Sequence, residues 1–309
     1  MTTPLPPSIA ALLRGRAAAS GHRPLITSLA ETHDERTELS HATFLNWVGK
    51  TANLLSEEFS VGPGDRVALA LPSSWTAAVL AAACWTLRAC VVAAGPQGAV
   101  VERLRVVVSG ERAGAAPGWP ADAGRMVVGD GMAGRLTGPP VAGALPYGEE
   151  VLAYADDAED TGPALDDDAL VLAARAGGPL RLDQRTLLTA ADAVALAPGS
   201  RLLSTLPLDG ADGLALGLLG PLVARGALVL VTGTPAAGVL ARLAREERVG
   251  TLLTDAAGLA VLVAGGDVGG LRRILCPGGA PRDLIGRAEA AGAGVTVDLP
   301  GAPGWVGTA

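Results

Sequence analysis

A chain of 309 residues is long enough for two domains or subdomains, each with its own core. With 49% apolar and 18% charged residues it excludes disorder, and its formal net charge of −7 argues against nucleic acid and anionic membranes as partners. Lys50 is the only lysine, so a mechanism that needs an active-site lysine has one candidate.

The first residues, "MTTPLPPSIAALLRGRAAASG", show no basic start followed by an apolar core and do not read as a signal peptide. Ser40 reads as the N-cap of a helix in which Phe44, Val48, Thr51 and Leu55 recur at helical spacing. "VGPGD" (61–65) makes a turn and "RVALALP" (66–72) a buried strand. "SSWTAAVLAAACWTLR" (73–88), capped by Ser73 or Ser74, is a helix apolar nearly all round, followed by the strand "ACVVAAG". Arg88 interrupts this apolar stretch, which favours a buried βα unit over a membrane span. A helix is expected near 100–109 and a strand over 125–130, and the acidic run "DDAEDTGPALDDD" (156–168) reads as a solvated loop.

His22, His33 and His41 stand in no ligand spacing with Cys84, Cys90 and Cys276, so no metal site is expected. The cysteines read as buried free thiols in a reducing cytoplasm. The stretch "AARAGGPLRLDQRTLL" (173–188) puts Gly177, Gly178 and Pro179 between an apolar run and an amphipathic helix. That position suits a phosphate loop, and equally a plain strand-to-helix turn. From residue 200 strands and helices alternate: "RLLSTLPL", "DGLALGLLGPLVARG", "ALVLV", "PAAGVLARLAREERVG", "TLLTD", "AAGLAVLVAGG", "LRRILCPGG", "APRDLIGRAEAAG" and "VTVDLPG". The alternation predicts an α/β fold with mostly parallel sheets flanked by helices.

Three stretches together resemble the N-terminal part of the adenylate-forming superfamily of acyl-CoA synthetases, peptide-synthetase adenylation domains and luciferases. They are residues 37–96 around "GDRV", 200–231 around "TLPLDGADG", and "LRRILCPGGAPRDLI" at 271–285. More narrowly, the chain resembles short AMP-binding-like proteins of high-GC bacteria. The resemblance implies two packed subdomains, one from 1–60 plus 195–309 and one from 61–194, without the family's C-terminal lysine-bearing domain. It also implies ATP or AMP as the cofactor and a nucleotide or acyl compound as the ligand.

Carried over residue by residue, the family's Ser/Thr/Gly-rich phosphate loop falls on Ala174, Arg175, Ala176, Gly177, Gly178, Pro179 and Leu180. The glycines and the proline remain, the hydroxyls are absent, and Leu180 stands where the family has lysine. Arg175 or Arg181 is left to supply positive charge, with a fork geometry unlike a lysine point charge. An aromatic or histidine after the "LPL" strand end is replaced by Asp209, Gly210, Ala211 and Asp212. Gly278, Gly279, Ala280 and Pro281 match the turn on which the family packs adenine; the same residues also read as a simple turn with Pro281 opening a helix. The Tyr-Gly-x-Thr-Glu stretch falls on 300–304, where Gly301 matches and Gly304 replaces the magnesium-binding glutamate. The resemblance thus implies a degenerate homologue without catalytic residues or metal ligands. The alternatives are an active adenylating ligase with atypical residues and a ligand-free module that acts through a protein partner.

Overall fold

The computed structural model describes residues 4–29, 36–93, 102–113, 119–159, 161–172, 179–233 and 235–297. In chain order these form α1 (Ile9–Ser20), β1 (Pro24–Leu29), β2 (Arg36–Ser40), α2 (His41–Phe59), β3 (Arg66–Ala70), α3 (Trp75–Thr86), β4 (Cys90–Ala93), β5 (Leu104–Gly110), β6 (Gly124–Val128) and β7 (Leu145–Pro146). Then come α4 (Tyr147–Glu150), β8 (Asp168–Leu172), β9 (Leu180–Asp183), α5 (Gln184–Ala193) and β10 (Arg201–Ser204). A π-helical segment, Gly213–Leu219, runs into α6 (Gly220–Val223). The rest is β11 (Ala227–Val231), α7 (Val239–Glu246), β12 (Thr251–Leu253), α8 (Ala256–Ala264), β13 (Arg273–Leu275), α9 (Arg282–Ala290) and β14 (Gly294–Thr296).

Two compact units result, each with a sheet of mostly parallel strands. The first takes Met1–His22, His41–Pro72 and Thr76–Arg185; the second takes Arg23–Ser40, Ser73–Trp75 and Thr186–Ala309. The chain therefore passes between units more often than twice, and α1 and α2 go with the sheet of β3, whereas the sequence reading grouped residues 1–60 with 195–309. In the first unit the described strands run β7-β6-β5-β3-β4-β8-β9, antiparallel only between β8 and β9. In the second they run β14-β13-β12-β10-β11-β1-β2, antiparallel only between β1 and β2. Strands covered on both faces lose period-2 alternation and become continuous apolar runs, as β11 does, with all five residues buried.

In the first unit α2 buries Phe44, Val48, Thr51 and Leu55, as its spacing predicts. α3 is buried along Thr76 to Thr86, which explains its all-round apolarity without a bilayer. No described helix is long and apolar enough to cross a membrane. Trp85 satisfies its buried indole N–H by donating to the Ala169 carbonyl at 2.9 Å. Asp65 of the "GDRV" stretch is 5% exposed at its side chain and receives Arg103 at 3.1 Å and Arg105 at 3.2 Å.

One expectation needs correction. Residues 104–110 form β5, a strand buried at Val106, Val107 and Val108 between β3 and β6. Three consecutive β-branched residues fit a doubly covered strand better than a helix. The acidic run is a mostly exposed loop up to Asp167, as expected, and it is tied down by surface ion pairs: Asp156 with Lys50, Asp166 with Arg185, Asp167 with Arg88 and Asp168 with Arg181. Arginines brought in by folding turn a like-charge run into a set of ties.

Candidate functional site

Arg175, Gly177, Gly178 and Gly301 lie outside the described residues, while Pro179 is described and exposed. What flanks the glycine-rich stretch is nevertheless clear, and it is not a strand-to-helix turn. Leu172 of β8 pairs with Leu180 of β9, so residues 173–179 connect two antiparallel strands. α5 begins only at Gln184, and its first N–H groups are used. Gln184 donates to the Asp167 carbonyl at 3.1 Å, and Arg185 to the Leu165 carbonyl at 2.9 Å. The Gln184 side chain faces the other way and accepts from the Ile9 N–H at 2.8 Å, capping α1 beside Ser8. The helix end that was to hold an anion therefore holds protein carbonyls. Arg181, one of the two candidate substitutes for the family lysine, sits 3.4 Å from Asp168 across the hairpin.

The other candidate lies in the second unit, where β10, β12, β13 and β14 run parallel and end side by side. Ligands of open α/β sheets sit beyond such carboxyl ends. The ladder continues one residue past each strand: Thr205 N–H donates to Leu253 O, Thr254 N–H to Leu275 O, and Cys276 N–H to Thr296 O. The chain then turns. Gly278 and Gly279 take φ of +83° and +86°, a left-handed pair that other L-residues adopt only with strain. The Gly279 N–H donates to the Cys276 carbonyl at 3.2 Å, and the Cys276 Sγ lies 3.5 Å from the Gly279 carbonyl. Burial pushes that thiol up to about 11, so it stays protonated and braces the turn.

A Cβ placed on Gly279 would meet nothing within 4 Å. Glycine is required there by the backbone, and the space beside it is open to a flat group. Ala280 packs against the core of the second unit. Pro281 precedes the helix instead of opening it: its carbonyl accepts from Leu284 and Ile285, and α9 starts at Arg282.

Sequence reasoning missed the hydroxyl pair at the same edge. Thr205 and Thr254 share a 2.7 Å hydrogen bond between their Oγ1 atoms, at the ends of neighbouring strands β10 and β12. Ser204 is fully buried next to them and accepts from the Leu206 N–H at 3.2 Å. The signal was present as a hydroxyl residue closing each of two apolar runs, "LLST" and "LLTD". Asp255 caps α8 through the Gly258 N–H at 2.7 Å. Asp209 is accessible to solvent; surrounding protein still raises its carboxyl, and the exposure limits that rise. Among the described residues no group of three His, Cys, Asp or Glu is arranged to hold a metal ion.

This fold has known counterparts. An acyl-CoA synthetase of Brucella canis superposes with a TM-score of 0.80 over 93% of this chain, at 18% identity. The chain spans 56% of that synthetase. The N-terminal domain of FACL13 from Mycobacterium tuberculosis gives 0.75 at 20% identity, covering 93% of this chain and 74% of that one. The anthranilate CoA ligase AuaEII, solved with anthranoyl-AMP, gives 0.75 at 16% identity, over 95% of this chain and 60% of the ligase. The sequence itself matches the family model of the AMP-binding enzymes over residues 13–113. A Mycobacterium tuberculosis protein described as "TIGR03089 family protein" is 33% identical over 256 residues, which is 80% of this chain and 98% of that relative. With a third of the residues shared along almost the whole of that relative, this protein belongs to the same family, the TIGR03089 family.

Proposed function

We propose that the protein is a degenerate adenylate-forming homologue that does not adenylate. It keeps a weak contact surface for a nucleotide or acyl-nucleotide at the carboxyl edge of the second sheet. The observation that carries this reading is the placement of Lys50. The chain's only lysine is fixed in α2 of the first unit, with its Nζ 2.5 Å from Asp156 and 2.7 Å from the Tyr154 carbonyl. It is occupied in holding a loop, so no lysine of this chain is available to neutralise phosphate. The absence of hydroxyls between Ala173 and Leu180, and Gly304 where the family carries its metal-binding glutamate, support the same conclusion.

The residues fit one part of the implied cofactor better than the other. The left-handed glycine pair at 278–279, open beside Gly279, suits the flat face of an adenine, whereas among the described residues no group of three His, Cys, Asp or Glu is arranged to hold a metal ion. The acyl adenylate held by the anthranilate CoA ligase supplies the ligand class to try.

The test is pyrophosphate exchange with a panel of acyl and amino acids, alongside thermal shift with AMP, ATP–Mg²⁺ and a non-hydrolysable acyl adenylate mimic. Exchange stays at background, and AMP or the mimic raises the melting temperature of the wild type but not of Gly279→Val. Exchange above background would overturn the reading in favour of a working ligase. Absence of any nucleotide response would remove the ligand and leave a protein-interaction role.

A further inference from the structure

The opposite end of the second sheet carries a different chemistry. At the amino ends of β10, β12 and β13 a cavity of about 460 Å³ opens, in the size range of small-molecule sites. Arg201, Arg248, Arg272 and Arg273 line it together with Ser200, Thr251 and the α5–β10 connection. Four of its eleven lining residues are arginines and none is a carboxylate, in a chain whose net charge is −7. The cavity and the 278–281 turn lie at opposite ends of β13, so this is not the nucleotide surface proposed above.

Two of the four arginines have structural partners. Arg273 Nη1 donates to the Val194 and Ala195 carbonyls just past α5, at 2.8 and 3.2 Å. Such capping of helix-end carbonyls accounts for its position. Arg201 Nη2 donates to Glu247 at 2.7 Å and to Thr27 at 3.2 Å. Glu247 is in turn held by Arg36 at 2.8 Å, so this carboxylate is shared between two guanidinium groups. Arg201 keeps its Nε buried without a partner, and the Ser200 Oγ beside it is buried and unpartnered as well. A buried polar atom with no hydrogen bond is costly, so such atoms are usually partnered.

Arg248 and Arg272 are exposed. No hydrogen bond or ion pair joins either side chain to another described residue. The Arg272 guanidinium lies along Gly250, where a Cβ would come within 3.2 Å of its Nη2. Helix capping explains one of the four arginines and an internal ion pair explains another. Neither explains two further unpaired guanidiniums and two orphaned polar atoms around one concavity whose lining residues include no carboxylate.

We propose that this cavity binds a compound carrying a diphosphate group. Each free guanidinium is a planar fork matched to one phosphate, and Arg248 and Arg272 supply two. The volume exceeds what a single orthophosphate fills, and Ala195, Leu196 and Ala197 offer an apolar wall to an organic body. The diphosphate is supplied either as free pyrophosphate or as part of a nucleoside diphosphate.

Titration calorimetry at low salt with pyrophosphate, ADP and orthophosphate tests this, on the full chain and on the double variant Arg248→Ala/Arg272→Ala. Both positions are exposed, so the variant is expected to melt with the wild type, which thermal unfolding checks. Pyrophosphate binds at least tenfold more tightly than orthophosphate, and the double variant loses at least tenfold of that affinity while Gly279→Val does not. Tighter binding of ADP than of pyrophosphate identifies a nucleotide as the source, and the reverse order identifies the free anion; both support the proposal. Affinity unchanged in the double variant, equal affinity for orthophosphate, or no binding of any of the three overturns it.

Discussion

Lys50 reaches out of α2 to Asp156, 2.5 Å away, and lays the 154–157 segment along the helix. Neighbours on the same face complete the strap. Asn53 donates to the carbonyls of Ala155 and Asp157, and the Tyr154 hydroxyl donates to Glu58. A partly exposed ion pair of this kind is worth about 1 kcal/mol or less. Lys50→Met therefore leaves global stability nearly unchanged and raises amide exchange within 154–157. Nucleotide-induced thermal shifts stay as in the wild type; their loss would mean that the lysine serves a site after all.

Gly49 and Gly213 are among the glycines with no room for a side chain. A Cβ on Gly49 would lie 1.8 Å from the Asp156 carbonyl oxygen, and one on Gly213 would lie 1.8 Å from the Pro207 carbonyl oxygen. Both obstacles are backbone and cannot rotate aside. Gly49→Ala and Gly213→Ala each cost about 1–3 kcal/mol, the usual range for overpacking. Gly210→Ala, whose Cβ meets nothing within 4 Å, serves as the neutral control in denaturant unfolding.

Acid weakens the loop after β6 through one carboxylate. Glu111 accepts from the Thr137 N–H and Oγ1, the Asp130 N–H and the Gly138 N–H. These bonds, the Thr137 N–H foremost, hold its pKa at about 2 against an ordinary value of 4.5. A folded-state pKa below the unfolded one means that stabilisation is complete above about 4.5 and is lost as pH falls toward 2. Urea midpoints of wild type and Glu111→Gln should thus differ most at neutral pH and converge across that window. A constant difference down to pH 2 would show that the carboxylate charge is not what the loop uses.

All three cysteines are free and buried. Burial raises each thiol: Cys84 far above its usual range, Cys90 to about 12 and Cys276 to about 11. Thiolate is the reactive form. A maleimide reagent at pH 8 labels none of them in the native protein and all three in denaturant. Rapid native labelling of Cys276 would show that the 278–281 turn opens.

The second sheet was readable because β10, β11, β12 and β13 are short apolar runs, each closed by a turn and followed by a helix. Such local chemistry needs no knowledge of partners. The strand β5 was not, because Glu102, Arg103 and Arg105 suggest the polar face of a helix, while its burial depends on lying between β3 and β6. The β8–β9 hairpin was hidden for a related reason: Leu180 and Arg181 look like the approach to α5 until Asp168 to Leu172 is seen to pair with them. The Thr205–Thr254 pair and the four-arginine cavity are further from legibility. Their members lie tens of residues apart in sequence and meet only because parallel strands align like ends.

The pairing of β1 with β11 fixes an order of assembly. Ile26 lies opposite Leu228, about two hundred residues later in the chain, in the register of that parallel pair. A ribosome making this protein releases everything the first unit needs by Arg185, well before the strand that β1 adjoins exists. Domains generally fold as units, N-terminal first, during synthesis. The β1–β2 hairpin must therefore wait, tethered at both ends to a finished neighbour, with the edge of β1 unclaimed until Ala227–Val231 emerges. Closing that long loop makes the second unit the slower to complete, and the waiting hairpin is the segment that a nascent-chain chaperone would have most reason to hold.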